Sequence, residues 1–170
     1  MLTETMTAQL NEQINLEFYS SNLYLQMSAW CEFHALEGCA AFLKEHADEE
    51  MEHMNRLFTY VNETGALAII GQINSPKADF KDIREVFEYT YKHERTVTQA
   101  INALADVAFQ EKDYSTFNFL QWYVSEQHEE EKLFKSVLDK IDMIGLGNQG
   151  LFFIDKEVGN LVGQEATQTV

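Results

Sequence analysis

Proline is almost missing from this 170-residue chain, in which Pro76 is the only one. A fold that turns often is thereby disfavoured, and long uninterrupted helices are expected. Cysteine is nearly as scarce. Cys31 and Cys39 are too few and too irregularly placed for a disulfide framework or a zinc ribbon. Both fall on apolar helical stripes, as small buried thiols in a reducing compartment would. Basic residues number 12 against 28 acidic ones, for a formal charge of −16. That balance repels nucleic acid and anionic membranes, which require clustered positive charge, and it attracts cations. No window reaches the roughly 18 apolar residues of a membrane span. Met1-Leu2-Thr3-Glu4 shows neither a basic nor an apolar leader region, so a cytoplasmic protein is expected.

What the chain does have is helical periodicity. Four segments carry it, at about 5–34, 38–64, 82–110 and 114–142. Each runs for about 27–30 residues, or roughly 40–45 Å at 1.5 Å per residue. Matched lengths are what a four-helix bundle needs, and one domain over 1–170 accommodates them. Gly38 separates the first two segments, and Asp113 is placed to cap the fourth. Very short turns make the first and second segments, and the third and fourth, antiparallel hairpins. Between the hairpins lies Gly65 to Lys81, long enough to run the length of a bundle. The expectation is therefore an all-α bundle with one long crossover. A short fifth helix at about 148–159 carries Leu151-Phe152-Phe153-Ile154 and Val158, with Leu161 just beyond. With the bundle already complete, its apolar face is expected to bury against another subunit. Residues 164–170 read as a disordered tail.

The inward stripes hold a surprise. The first helix reads Leu10, Ile14, Glu17, Ser21, Tyr24, Ser28, Cys31, and the second Cys39, Leu43, His46, Glu50, His53, Leu57, Tyr60. The third reads Ile83, Phe87, Thr90, Glu94, Val97, Ile101, Leu104, Ala108, and the fourth Phe117, Leu120, Val124, Gln127, Glu130, Phe134. An acid interrupts all four. Glu17, Glu50, Glu94 and Glu130 each sit near the midpoint of a helix, within about 5 Å of one level. Burying an unpaired carboxylate costs several kcal/mol. Four would offset much of the roughly 5–15 kcal/mol by which a domain is stable. Either these groups are protonated, or divalent cations sit between them.

The second option also explains Glu50-Met51-Glu52-His53, a Glu-x-x-His whose carboxylate and imidazole share one helix face. Oxygen and nitrogen donors without thiolate suit iron or manganese better than structural zinc. His46 reads as a hydrogen-bonded core residue; His34, His93 and His128 read as solvent-facing or neighbouring the ligands. Gln127 and Glu130 point inward, with Glu126 and Glu129 beside them.

From about Leu10 to Glu157 the chain resembles the bacterial non-haem ferritins of the enterobacterial iron-storage type. The resemblance is carried by Asn11-Glu12-Gln13, Glu17 to Trp30, Glu49 to Met54, Tyr91-Lys92-His93-Glu94 and Phe117 to Lys135. It implies a ferritin-like fold and a ferroxidase, with one iron on Glu17, Glu50 and His53. A second iron would lie on Glu50, Glu94 and Glu130, with Glu50 bridging and Gln127 close by. Glu49, Glu126, Glu129 and Glu130 match the family's third iron site, and Tyr24 matches the tyrosine beside the diiron centre. The resemblance further implies a hollow twenty-four-subunit shell and Fe(II), dioxygen or hydrogen peroxide as reactants. Bacterioferritins carry a second Glu-x-x-His where this chain has Gln127 and Glu130, which argues against haem, although Met51 falls where they place a haem ligand. Two rivals remain: a stand-alone diiron oxygenase or peroxidase, and a DNA-protecting shell, for which the basic arm is lacking.

Overall fold

The computed structural model describes residues 2–163. It contains α1 (Glu4–Phe33), α2 (Glu37–Glu63), α3 (Ile83–Gln110), α4 (Tyr114–Ile144) and α5 (Asn148–Gly159), with no strand among the described residues. The disorder expected at 164–170 lies outside them. Three of the helices begin on side-chain caps: Thr3 Oγ1 accepts from the Met6 amide at 3.0 Å, Asp82 Oδ1 from Glu85 at 2.9 Å, and Asp113 Oδ1 from Thr116 at 3.1 Å.

α1 packs along α2, and α3 along α4, as two antiparallel hairpins; α1 and α3 join them into one bundle. The hairpin turns are not made by glycine. Ala35 and Lys112 take the left-handed conformation there, at φ 57° and 59°. Gly38, expected to separate α1 from α2, already lies inside α2. It is needed for a different reason. A Cβ at Gly38 would come within 2.1 Å of the Asp155 carbonyl oxygen on α5, and Gly159 lies against the same spot.

This contact corrects the expectation for α5. Ile154 and Val158 bury into the apolar core of their own bundle, and Asp155 Oδ1 accepts from the Cys39 amide at 2.8 Å. The fifth helix thus caps the second, whose preceding Leu36 offers no polar side chain for the purpose. Phe152 and Phe153 on its other side stay exposed, so that side alone remains for a neighbouring chain.

The crossover is held in an extended path by two asparagines of α1. Asn11 donates to the Leu67 carbonyl at 3.1 Å and accepts from the Ile69 amide at 2.8 Å. One turn on, Asn15 donates to the Ile69 carbonyl at 3.0 Å and accepts from the Gly71 amide at 2.7 Å. Two side chains thereby supply what a paired strand would.

The buried apolar residues fall into two clusters. One contains Tyr24, Met27, Phe42, Leu43, Phe87 and Phe134; the other contains Leu10, Ile14, Leu57, Val97, Ile101 and Leu120. On α4 the stripe is displaced from the expected one. Thr116 and Tyr123 are buried where Phe117 and Val124 are only half-buried, and on α2 Tyr60 is half-buried too. Each buried replacement brings a hydroxyl with a partner: Tyr123 donates to the His53 carbonyl at 2.7 Å, and Thr116 pairs with Asp113 and Tyr60. Between the clusters runs a polar belt.

Candidate metal centre

The belt is built from one or two turns of each long helix. α1 contributes Gln13 and Glu17, α2 His46, Glu50 and His53, α3 Glu94, and α4 Gln127 and Glu130. None of these eight residues is more than 6% exposed. No lysine or arginine is buried among the described residues, so no fixed cation neutralises the acids. Burial therefore acts on them directly. It raises the Glu17 carboxyl from 4.5 to about 7, partly opposed by the neighbouring Glu50 and Gln13. It raises Glu50 well above the usual carboxylate range, with Glu94, Glu17 and Glu130 adding like-charge repulsion. Glu94 is also raised by burial, against the hydrogen bonds it accepts from Tyr24 and Gln127. His53 moves the other way. Desolvation lowers it to about 4, so near neutral pH its ring carries a free lone pair.

Two sets of donor atoms converge, each with all members within 4.8 Å of one another: Glu17, Glu50 and His53, and His46, Glu49 and Glu130. In the first, His53 Nδ1 lies 3.3 Å from Glu50 Oε2. Glu17 Oε2 and Glu50 Oε2 are fully buried and accept no hydrogen bond among the described residues. Native interiors leave few such atoms, and a carboxylate oxygen so placed is suited to a cation. The donor set, oxygen-rich with imidazole, fits iron.

Glu94 is held differently. The Tyr24 hydroxyl donates to its Oε1, and Gln127 Nε2 donates to its Oε2 at 2.9 Å. Tyr24 is itself buried, and that burial, with the charges of Glu94 and Glu50 adding to it, pushes its phenol well above the usual range. His93 is half-buried rather than solvent-facing. Its ring lies edge-on to that of Tyr24 at 6.1 Å, with Nε2 2.7 Å from Ser20 Oγ. His34 and His128 are exposed.

Glu49 and Glu126 are half-buried at the edge of the belt, with Glu129 exposed beside them. Burial raises Glu126, and so do the charges of Glu129 and Glu49, which places the three acids near one another. Sequence reasoning read His46 as a hydrogen-bonded core residue, and it is buried with a polar partner. The structure puts its Nδ1 3.0 Å from Glu49 and 3.9 Å from Glu130, so this core histidine borders the third group of acids. Its position one turn before Glu50 was the available signal. Gln13, one turn before Glu17, was not singled out as part of the site; its Nε2 donates to Glu17 Oε1 at 2.8 Å.

Residues 7–144 match the family model of the ferritin-like domain. A probable bacterial non-heme ferritin-like protein of Haemophilus influenzae is 60% identical over 161 residues, covering 95% of this chain and 98% of that protein. A bacterial non-heme ferritin of Escherichia coli O157:H7 is 58% identical over the same shares. Among solved structures, an open pore ferritin from the archaeon Archaeoglobus fulgidus superimposes with a TM-score of 0.91 at 37% identity, covering 93% of this chain and 96% of that one.

Proposed function

The chain belongs to the ferritin family, and on that premise we propose that it stores iron by oxidising Fe(II) at the buried belt and depositing the ferric product inside a hollow shell of its own copies. The observation that carries the reading is the pair of bare, buried oxygens on Glu17 and Glu50 beside His53, with no lysine or arginine buried among the described residues.

Fe(II) is the substrate. One ion is taken by Glu17, Glu50 and His53, and a second by Glu50, Glu94 and Glu130, so that Glu50 serves both. Gln127 and Tyr24 stand beside the second position. Carboxylate ligands stabilise Fe(III) more than Fe(II), which lowers the potential and favours loss of an electron. Two Fe(II) ions give two electrons to dioxygen, yielding hydrogen peroxide with two protons, or to peroxide itself, yielding water. His53 enters neutral, so its nitrogen binds without first losing a proton. Glu49, Glu126 and Glu129 offer a third position at the edge of the belt, from which iron passes onward. The charge of −16 draws cations toward the protein. On this reading the protein works in the cytoplasm, as twenty-four subunits, without haem.

Aerobic Fe(II) loading followed by a sizing column tests this reading. The expected outcome is a shell-sized particle whose ferric absorbance co-elutes with protein, at far more iron than its ligand sets could hold. A monomer or dimer that oxidises Fe(II) but retains no mineral would instead favour an oxygenase or peroxidase acting on some other substrate.

A further inference from the structure

The proposed iron positions are not equally ready. Glu17, Glu50 and His53 already converge, whereas Glu94 joins neither converged set. The donors around the two carboxylates explain the difference. Gln13 Nε2 occupies only Oε1 of Glu17, at 2.8 Å, and leaves Oε2 bare. Gln13 is 2% exposed and sits one helical turn before Glu17, so its amide fixes the carboxylate's rotation from within the same helix. Glu94 has both oxygens taken, Oε1 by the Tyr24 hydroxyl and Oε2 by Gln127. The Gln127 amide is anchored further, with the Glu94 carbonyl at 3.3 Å and Thr98 Oγ1 at 3.4 Å. A cation approaching Glu94 must first displace one of these donors. A cation approaching Glu17 need displace no amide or phenol from Oε2.

Resting on the iron-binding reading above, we propose that the two positions fill in a fixed order, because Gln13 presents Glu17 to the first cation while Gln127 and Tyr24 latch Glu94 away from the second. Gln13 and Gln127 are positioning residues with opposite effects. Ordered filling has a chemical use: a lone Fe(II) waits on the Glu17 side until its partner arrives to share the two-electron step.

Anaerobic titration with Co(II), which binds without being oxidised, reads the order directly. The background is the full-length Glu126→Gln/Glu129→Gln protein, which takes away most of the third set. Two resolved steps are expected, the first accompanied by paramagnetically shifted imidazole signals from His53. Gln127→Met, which keeps the side-chain length but removes the amide, should tighten the second step by about tenfold or more, because a hydrogen bond to a charged group no longer has to be broken. Gln13→Met should weaken the first step by about 10–100-fold, the usual effect of losing a partner behind a ligand. General damage to the fold would weaken both steps in both variants, so the opposite signs are diagnostic. Equal steps in the parent protein, or a weaker second step in Gln127→Met, would overturn the latch while leaving the metal centre standing. Failure to retain any Co(II) would overturn both.

Discussion

Glu50→Ala is expected to slow aerobic Fe(II) oxidation by about 100-fold or more, the largest single effect in this protein. Losing one partner behind a metal ligand already costs about 10–100-fold, and Glu50 is proposed as a ligand shared by both irons. Its removal therefore disables both positions at once, whereas Glu17→Ala or Glu94→Ala would spoil one each. The geometry gives the reason: Glu50 belongs to the converged set with Glu17 and His53, and its charge is also felt from Glu94 and Glu130. Glu52→Gln, on the exposed side of the same helix, should leave the rate unchanged. Stopped-flow absorbance of the ferric product measures both. A Glu50→Ala protein that assembles normally and still oxidises iron at the parent rate would remove the belt from the chemistry.

The second large effect concerns stability. Co(II) at about 100 times its dissociation constant should stabilise the fold by about 2.7 kcal/mol. For a domain of this size that corresponds to a rise in melting temperature of roughly 5–11 °C, reversed by chelator. This gain should shrink as pH falls. Glu17 is raised to about 7, and Glu50 and Glu94 are raised as well, so below neutrality protons compete with the cation for the same oxygens.

The chelated protein should behave in the opposite sense. A carboxyl whose folded value is raised contributes stability that is fully present below its unfolded value of 4.5 and is lost as pH rises through about 7. Lowered histidines, His53 and His93 at about 4, contribute stability above 6.5 that is lost as pH falls toward 4. Between pH 8 and 6.5 the acids dominate, so the chelated protein firms up as the loaded one loses its advantage. Scanning calorimetry should show the two melting curves converging with falling pH. In Glu17→Gln/Glu94→Gln the Co(II) gain should fall to what the edge acids alone supply, and the chelated protein should melt higher than the parent at pH 8, because two buried charges are gone. A Co(II) gain that does not depend on pH would contradict buried, protonated carboxyls as the binding groups.

The parts of this fold legible in the sequence are those that repeat every three or four residues. Glu17, Glu50, Glu94 and Glu130 could be set at one level because helical rise is constant and each lies on an apolar stripe. The Glu-x-x-His of α2 was readable for the same reason. What the sequence hid depends on partners far away along the chain. Gly38 reads as a helix breaker until Asp155 and Gly159 of α5 are placed against it. The fifth helix reads as surplus because nothing local says that Asp155 caps α2. Thr116 and Tyr123 took positions expected for Phe117 and Val124, since a hydroxyl near Asp113 or the His53 carbonyl can be satisfied inside the bundle. Asn11 and Asn15 look like surface residues of α1, and only the crossover lying over them reveals their use. The difference between Glu17, with one oxygen bare, and Glu94, with both engaged, is likewise invisible in spacing alone.

Iron is proposed to bind and react on either side of Glu50. Crystals soaked anaerobically in Fe(II) and measured across the iron absorption edge test it most directly. Two anomalous peaks are expected inside each bundle, one among Glu17, Glu50 and His53 and the other among Glu50, Glu94 and Glu130. Peaks confined to the acids at the edge of the belt, Glu49, Glu126 and Glu129, with none beside Glu50, would contradict it.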